Sequence, residues 1–435
     1  MAMYDDARVR LWGSVIGAVS WLDEGDVGVF QYAPQFLQSG IQVAPFMMPL
    51  DEFPYEFSAL ARNTFKGLPG LLADSLPDRF GDTVIDAWLM SQGYEPSEIH
   101  AVQRLCFIGS RAMGALEFEP VIPGTLAGSK RVDIARLVAA TNLILEERRA
   151  PQRVFRRHDT REMIDALFCV AASAGGRRAK ALLAWNPVTD EFRSGPADVG
   201  AGFEDWMIKF DGVTSSLDRE TSDPAGSGSI EYAFHLMAVE AGIVMMPCRL
   251  HQEGGRSHFM TKRFDRTANG GKYHMQSLGA MTHIDYHQPL SYSYEQAIQL
   301  MRRLGLKRED LEQLVLRAMF NVIACNHDDH VNNSAFLMNR RGQWRLSPAF
   351  DLSYTSDPRG VWTMLHRMSI NGKCEDFKRE DLIALASVAG IKKTRANEMI
   401  YRVTETVRRW PYFAEKAGVA EKRMAHIQAD QDTLL

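Results

Sequence analysis

The sequence predicts an α+β fold with a strand-rich front and a mainly helical back, and two observations lead to this prediction. Short apolar and β-branched runs separated by turns fill roughly the first 120 residues, and strand-like segments then alternate with one clear helix up to Arg266. After Ser291, segments with helical spacing and charged outer faces take over. They are Tyr294–Leu304, Arg308–Ile323, Arg379–Ala389 and Lys393–Arg409.

The front opens with two segments of strand character, Val9–Val19 and Val27–Tyr32. The polar turn Asp23–Asp26 lies between them. A helix is expected at Thr83–Ser91, and a strand at Ala115–Phe118. This order of elements predicts a small β-rich unit at the N-terminus.

The middle of the chain predicts a mixed α/β lobe. A helix is expected around Val132–Arg148, followed by the strands Leu167–Val170 and Ala181–Trp185 on either side of a glycine-rich loop. A further strand, Trp206–Phe210, leads to a helix that is expected to begin at Ser229.

Length and composition limit the class of protein. A chain of 435 residues is expected to form two or three packed units, and 46% apolar with 24% charged residues is typical of a soluble globular protein. A net charge of -4 gives no global reason to expect nucleic acid or an anionic membrane as the main partner. The five cysteines are scattered and odd in number, which favours a reducing compartment. Without a signal peptide or an apolar span of roughly 20 residues, a cytoplasmic location is expected.

The stretch from Asn326 to Asp351 carries the most chemical information. An apolar helix, Leu314–Ile323, runs into a polar loop that contains most of the asparagine, aspartate and histidine residues of the region. A hairpin of the strands Ser334–Met338 and Trp344–Phe350 follows, and Asp351 stands at its exit. The predicted order is therefore helix, polar loop, hairpin and acid.

Phosphoryl transfer needs this set of groups, because one carboxylate must lie near the attacking hydroxyl while oxygen ligands hold Mg²⁺ on the phosphates. Asp328 precedes Asn333 by five positions, the separation that protein kinases use between the catalytic aspartate and the metal-binding asparagine. Asp351 occupies the place of the second metal ligand. The segment predicts an ATP- and Mg²⁺-dependent kinase.

Two other interpretations of the loop remain open. Asparagine, aspartate and histidine are common in loops because their side chains satisfy turn backbone groups. A hydrolytic metal site could instead use His327, Asp329 and His330. Such a site usually takes its ligands from positions at helix or strand spacing. These three residues lie on a single loop, which argues against a metal site of this kind.

Upstream segments predict a nucleotide site. The loop Ala171–Lys180 contains a Gly-Gly pair whose backbone N–H groups can approach phosphate, although most such pairs are hairpin turns. Strand alternation places Lys209 on the face opposite Trp206 and Ile208, so this lysine points either to a solvated edge or into a site. Glu231, in the first turn of the next helix, either pairs with Lys209 or only complements the helix dipole. The strand Thr261–Asp265 would join the two lobes beside the adenine.

The assembled motifs resemble the HipA family of toxin–antitoxin serine/threonine kinases, over nearly the whole chain. The matching segments are Gly67–Asp78, Ile108–Glu117, Ser173–Gly176, Met207–Phe210, Arg263–Arg266, Asn326–Asn333, Ser347–Asp351 and Met368–Gly372.

This resemblance implies a bilobal protein-kinase-like fold in three parts: residues 1–125 as the β-rich subdomain, 126–266 as the ATP-binding N-lobe and 267–435 as the mainly helical catalytic C-lobe. It implies ATP and Mg²⁺ as cofactors, Asp328 and Lys209 as catalytic residues, and Asn333 and Asp351 as metal ligands. The candidate nucleotide-binding residues are Ser173, Ala174, Gly175, Gly176, Lys180, Lys209, Glu231, Lys262, Phe264 and His330.

The resemblance also implies partners. Family targets include aminoacyl-tRNA synthetases, and the usual partner is a small HipB-type antitoxin that binds DNA, so DNA is expected only indirectly. Members commonly autophosphorylate a serine of the glycine-rich loop. Here Ser173 is shifted by one position from the place of that serine, which Ala172 occupies, and Met275–Asp285 replaces a Gln-Glu-Asp motif of many relatives. The substrate could therefore differ from theirs.

Two rival functions remain open at this level. One is a degenerate kinase fold that serves as a scaffold for the antitoxin, against which the presence of Lys209, Asp328, Asn333 and Asp351 argues. The other is a kinase of small molecules.

Overall fold

The computed structural model describes residues 4–121, 129–147, 158–171, 178–195, 200–213, 225–267, 269–357, 360 and 362–432. The glycine-rich loop residues Ser173, Ala174, Gly175 and Gly176 lie outside them. Within the described residues the fold is α+β, with three antiparallel sheets.

The N-terminal unit (residues 4–121) is a four-stranded sheet with helices packed beside it. Its strand order is β3-β2-β1-β4. The strands are β1 Asp6–Leu11, β2 Ser14–Leu22, β3 Val27–Tyr32 and β4 Leu116–Glu119. The helices are α1 Pro34–Leu37, α2 Arg62–Phe65, α3 Gly70–Ala73, α4 Arg79–Gln92 and α5 Ala101–Ile108, with a 3₁₀ turn at Pro96–Glu98.

The middle of the chain forms a six-stranded sheet in the order β5-β7-β6-β8-β10-β9. The strands are β5 Arg131–Val132, β6 Lys180–Asn186, β7 Glu191–Ser194, β8 Glu204–Lys209, β9 Cys248–Glu253 and β10 Arg256–Lys262. The helices are α6 Ile134–Glu147, α7 His158–Ala171 and α8 Ser227–Glu240.

The back of the molecule is mainly helical and carries a small sheet in the order β11-β12-β13. The strands are β11 His274–Ser277, β12 Ala335–Met338 and β13 Trp344–Leu346. The helices are α9 Leu278–Thr282, α10 Tyr294–Arg303, α11 Arg308–Ile323, α12 Arg379–Val388, α13 Lys393–Arg408, α14 Trp410–Ala417 and α15 Glu421–Asp432, with a 3₁₀ turn at Val331–Asn333.

Buried side chains form two apolar cores. One joins the N-terminal sheet to α6, α7 and the strands β6 and β8. The other joins α8 to helices α10–α14. In the second core the ring of Phe234 on α8 lies edge-on to that of Trp410 on α14, with centroids 5.5 Å apart. Helix α8 therefore belongs by packing to the helical back, although it follows a strand of the front.

Several predicted elements are confirmed within a residue or two, including the helices α10 to α13 and the strand at Ser334–Met338. The predicted strand Leu167–Val170 is wrong, because these residues lie within helix α7. Ile164, Leu167, Phe168 and Ala171 are buried at the i, i+3, i+4, i+7 spacing of a helical stripe. The short apolar run was part of that longer pattern.

Three predicted strands have different limits. Val9–Val19 is two strands, since Trp12 (φ 51°) and Gly13 (φ 85°) form a two-residue hairpin turn of the kind that needs positive φ at both positions. Trp344–Phe350 ends as a strand at Leu346, because Pro348 has no N–H to continue the ladder. Thr261–Asp265 ends at Lys262, beyond which Asp265 is buried among arginines.

Candidate functional site

The polar loop folds back onto the helix that precedes it. Helix α11 ends at Ile323, and Cys325 turns the chain with a φ of 60°, in the left-handed region that non-glycine residues seldom adopt. The side-chain amide of Asn326 then donates to Asn321 Oδ1 at 2.9 Å. The loop therefore starts from a fixed point on a buried helix.

Asp328 is held by hydrogen bonds to its backbone N–H and carbonyl, and its carboxylate takes no part in these bonds. Its N–H donates to Thr355 Oγ1 at 3.0 Å, and its carbonyl accepts from Asn333 Nδ2 at 2.7 Å. The Asp328 side chain is 25% exposed, and its Oδ1 lies 3.9 Å from His330 Nε2. The 3₁₀ turn Val331–Asn333 explains the separation of five residues, since it brings the Asn333 amide back to Asp328.

Asp351 enters the site from the other side of the hairpin with a φ of 56°. Lys209 Nζ donates to its Oδ1. Burial acts to raise the pKa of the Asp351 carboxyl, but Lys209 and Lys180 outweigh burial and hold that pKa well below its usual range. Asp351 is therefore an ionised carboxylate at neutral pH.

Lys209 bridges two carboxylates. Its Nζ lies 2.5 Å from Glu231 Oε1 as well as contacting Asp351. Arg178 Nη1 lies 3.0 Å from the second oxygen of Glu231. Burial acts to lower the pKa of Lys209, whereas Asp351 and Glu231 outweigh burial and raise it. The structure thus has Glu231 paired with Lys209, which is one of the two predicted alternatives, and Lys209 is buried instead of lying at a solvated edge.

Lys180 lies beside Lys209 in the sheet, since the register pairs these two residues directly across β6 and β8. The Lys180 side chain is only 2% exposed, and its Nζ lies 3.4 Å from Asp78 Oδ2 of the N-terminal unit. Two buried ammonium groups therefore lie on one face of the sheet at the edge of the site.

The other candidate nucleotide residues lie at the end of β10 and on the polar loop. Lys262 is partly exposed and pairs with Glu204 at 2.8 Å. The ring of Phe264 lies 5.3 Å from that of Phe350, the residue before Asp351. His330 shares a narrow cavity with Asn333 and Asp351.

Two residues in or near this cavity were not predicted from the sequence as site residues. Arg317 of α11 lines it, and burial lowers the pKa of the Arg317 guanidinium to about 9. Its Nη2 donates to the Ser347 carbonyl at 2.6 Å. Thr355 was missed as well, although its Oγ1 also donates to Asn326 Oδ1 at 3.0 Å. A charged residue inside the apolar run Leu314–Phe320 is the one signal that could have indicated Arg317.

The residues suggested for a hydrolytic metal site have other partners. Asp329 is buried and accepts from Tyr294 Oη at 2.9 Å and from the Arg367 N–H at 2.7 Å. His327 Nδ1 lies 2.8 Å from the Thr363 carbonyl. Within the described ranges, no three histidine, cysteine, aspartate or glutamate side chains come together to hold a metal ion.

Asn333 and Asp351 have the donor chemistry that suits Mg²⁺. Because Asn333 uses its Nδ2 to hold the loop, its amide oxygen is the atom turned to other partners, and Asp351 is ionised. Amide and carboxylate oxygens are the protein ligands that Mg²⁺ prefers. Asn333 and Asp351 line the same cavity, so these two oxygens would be the groups that hold a cation there.

The fold and the site define a kinase-like protein with a lysine–glutamate pair, and the family comparisons agree with this class. Residues 172–410 match the model of the HipA-like C-terminal domain, and residues 7–119 match that of the HipA N-terminal domain. The chain belongs to the HipA family. No curated protein sequence matches it significantly.

Solved structures resemble the chain at low identity. HipA of Shewanella oneidensis MR-1, from a complex with HipB and its operator DNA, is 17% identical, with a TM-score of 0.63. That match covers 98% of this chain and 95% of the other. The Helicobacter pylori proinflammatory kinase CtkA is 11% identical over 52% of this chain and 92% of its own, with a TM-score of 0.29. The first match places the fold among HipA structures.

Among the helices in the part of the chain that the structure describes, none combines the length and apolar character that a membrane span requires.

Proposed function

We propose that this protein is an ATP- and Mg²⁺-dependent serine/threonine protein kinase. One observation carries the proposal: Lys209 contacts Glu231 and Asp351 at once, and Asp351 lines a narrow cavity together with Asn333. Kinases need a lysine for the phosphates, a glutamate that fixes this lysine, and oxygen ligands for the metal. The described residues provide each of these groups.

Each residue has a distinct part in the proposed transfer. Asp328 would orient the acceptor hydroxyl and take its proton, which suits a carboxylate that is free of the backbone network around it. Asn333 and Asp351 would hold Mg²⁺, which would neutralise the charge on the phosphates of ATP, the donor of the phosphoryl group. Lys209 would exchange its contact with Asp351 for one with phosphate.

The nucleotide would lie between the six-stranded sheet and the polar loop. Lys180 and Lys209 would face its phosphates, with His330 on the loop side. Lys262 and Phe264 would lie toward the adenine, where β10 leaves the sheet. The glycine-rich loop Ser173–Gly176 would cover the phosphates, and Ser173 is the proposed site of autophosphorylation. The proposed domains remain residues 1–125, 126–266 and 267–435.

Partners are proposed from the family. A HipB-type antitoxin is the proposed partner, with DNA bound only through it, because the similar Shewanella protein was solved with HipB and operator DNA. The proposed substrate is a protein hydroxyl, with an aminoacyl-tRNA synthetase as the first candidate.

The substrate class can be tested with γ-labelled ATP. Wild-type protein and an Asp351→Asn variant would be incubated with labelled ATP, Mg²⁺ and host lysate. The control variant is Asp376→Asn, the same change at an exposed aspartate. We expect one or a few labelled proteins with the wild type and the control, and none with Asp351→Asn. Label in metabolites but in no protein would indicate a small-molecule kinase, and the absence of any transfer would indicate a scaffold.

A further inference from the structure

The two buried lysines of the sheet, Lys180 and Lys209, carry like charges close to each other. Lys180 and Lys209 stand directly opposite each other on β6 and β8, and like charges in that position repel. Each lysine therefore needs its own carboxylate. Lys209 contacts Glu231 and Asp351, and the ammonium of Lys180 lies 3.4 Å from the carboxylate of Asp78.

Asp78 comes from outside the sheet and is held firmly. It is the N-cap of α4, where its Oδ1 accepts from the Gly81 N–H at 2.6 Å, and its side chain is 8% exposed. Four residues earlier in the chain, Asp74 accepts from the N–H and the hydroxyl of Ser277 at 2.6 and 2.7 Å. These contacts dock the segment between α3 and α4 onto the catalytic part of the molecule.

We infer that Asp78 is a positioning residue for Lys180, so that the N-terminal unit completes the nucleotide site. One oxygen of Asp78 caps its own helix while the other lies beside the ammonium of Lys180. The inference rests on the proposed function, because it assigns Lys180 to the phosphates of ATP. It adds that the family's N-terminal domain takes part in nucleotide binding.

The charge of Asp78 has a consequence for the protonation of Lys180. Burial lowers the pKa of Lys180, and the neighbouring Lys209 lowers it further, whereas Asp78 and Asp351 oppose this lowering. Burial raises the pKa of the Asp78 carboxyl to about 7, although Lys180 and the Gly81 N–H oppose this shift, and Asp82 of α4 adds to it. The charge of Asp78 is therefore complete only toward the upper end of the pH range of the test. Without the Asp78 charge, Lys180 loses its proton at a lower pH, and a neutral amine cannot neutralise phosphate. The loss of nucleotide affinity therefore grows as pH rises.

The test is the affinity for a non-hydrolysable ATP analogue with Mg²⁺, measured by calorimetry between about pH 6.5 and 8.5. Asp78→Asn removes the charge and keeps a good N-cap. We expect its dissociation constant to rise by on the order of tenfold at the upper pH and by less at the lower pH. Asp86→Asn, the same change about two turns further along α4, affects a carboxylate that pairs with Arg104 and is expected to keep wild-type affinity and pH profile.

A double-mutant cycle separates this role from a structural one. In a Lys180→Met background, Asp78→Asn should cause no further loss of affinity, because its effect passes through the lysine. If Asp78→Asn does not fold, as judged by its thermal unfolding, Asp78→Ser retains a capping hydroxyl without charge.

Wild-type affinity and pH profile in Asp78→Asn would overturn the inference, and so would an equal loss in the Lys180→Met background. A wild-type protein that binds no nucleotide would overturn the proposed function, and this inference with it.

Discussion

At the scale of single residues, Asp351 stands out because its backbone is in the left-handed region and its carboxylate contacts Lys209. Aspartate is one of the residues that tolerate this region, but it still costs about 1 kcal/mol or more. The contact with Lys209 and the packing of Phe350 against Phe264 hold the residue in place. Asp351 thereby lines the cavity that Asn333 also lines.

Asp351→Asn tests the metal-ligand role. The change removes the negative charge that would bind Mg²⁺, and we expect kcat to fall by on the order of a hundredfold or more. Binding of an ATP analogue should also lose its dependence on Mg²⁺ concentration, which a titration at several Mg²⁺ levels would measure. An unchanged Mg²⁺ dependence would remove Asp351 from the metal site.

The sequence was sufficient to select candidate residues where their spacing along one segment indicates the proposed role. Asp328, Asn333 and Asp351 were identified from their order along one segment. Thr355 and Asp78 were not assigned roles, because their partners are distant in sequence and only folding brings them together. The functional roles of all these residues remain predictions.

At the scale of elements, the polar loop is tied to the segment that follows Asp351. Thr355 accepts from the Asp328 N–H and donates to Asn326 Oδ1, so one hydroxyl joins two points of the loop. Because it holds the loop at Asp328 itself, this hydroxyl should set the direction of the Asp328 carboxylate.

Thr355→Val, a change of similar shape, tests that link. Removing the hydroxyl leaves two polar groups without their partner, at a cost of about 1–3 kcal/mol in unfolding free energy. We expect kcat to fall by on the order of tenfold with little change in KM for ATP, as measured by steady-state kinetics. The buried Thr406, whose hydroxyl donates to Arg402 within α13, provides a control whose change to valine should leave kcat unaltered. A variant Thr355→Val with wild-type kcat would contradict the link.

The sequence predicted helices better than strands at this scale. Both ends of helix α11, which has a long amphipathic pattern, were predicted to the residue. The short apolar run at Leu167–Val170 was mistaken for a strand. A run of four apolar residues fits a buried strand or a piece of a helix equally well, and only the longer pattern decides.

At the scale of the whole molecule, the N-terminal unit is joined to the rest by a buried ionic cluster. Asp265 is fully buried and accepts from Arg263, Arg266 and the Gly114 N–H, the last at 2.7 Å. Arg266 also donates to the Gly114 carbonyl at 3.0 Å. The contacts join residues about 150 positions apart, which local sequence patterns could not predict.

Asp265→Asn should destabilise the protein strongly. The change leaves two buried guanidinium groups without their counter-charge, and removal of one member of a buried ion pair typically costs about 3–5 kcal/mol. Urea unfolding would measure this loss. Glu117→Gln breaks the more exposed pair with Lys272 in the same region and should cost less than about 1 kcal/mol. Equal effects of the two changes would contradict the importance of the cluster.

Acid should loosen the same junction through His274. Its Nε2 lies 2.9 Å from the Val43 carbonyl, and burial lowers its pKa to about 4 although that hydrogen bond opposes the shift. A group with a folded-state pKa below its unfolded value of about 6.5 binds fewer protons when folded. Its contribution to stability is therefore complete above about pH 6.5 and is lost as pH falls toward 4.

His274→Gln tests this dependence, because glutamine can donate to Val43 without titrating in this range. We expect the loss of unfolding free energy between about pH 7 and pH 5 to be smaller in the variant, by on the order of 2 kcal/mol. Urea titrations at the two pH values would measure it. Equal losses in wild type and variant would rule out His274 as the source.

The central claim is that Asp328 carries out phosphoryl transfer without being needed to bind the nucleotide. The most direct measurement compares wild type and Asp328→Ala for two quantities, the rate of transfer from γ-labelled ATP and the affinity for a non-hydrolysable analogue with Mg²⁺. We predict that transfer falls to background in the variant while affinity stays within about threefold of wild type. Transfer by Asp328→Ala at the wild-type rate would contradict the account.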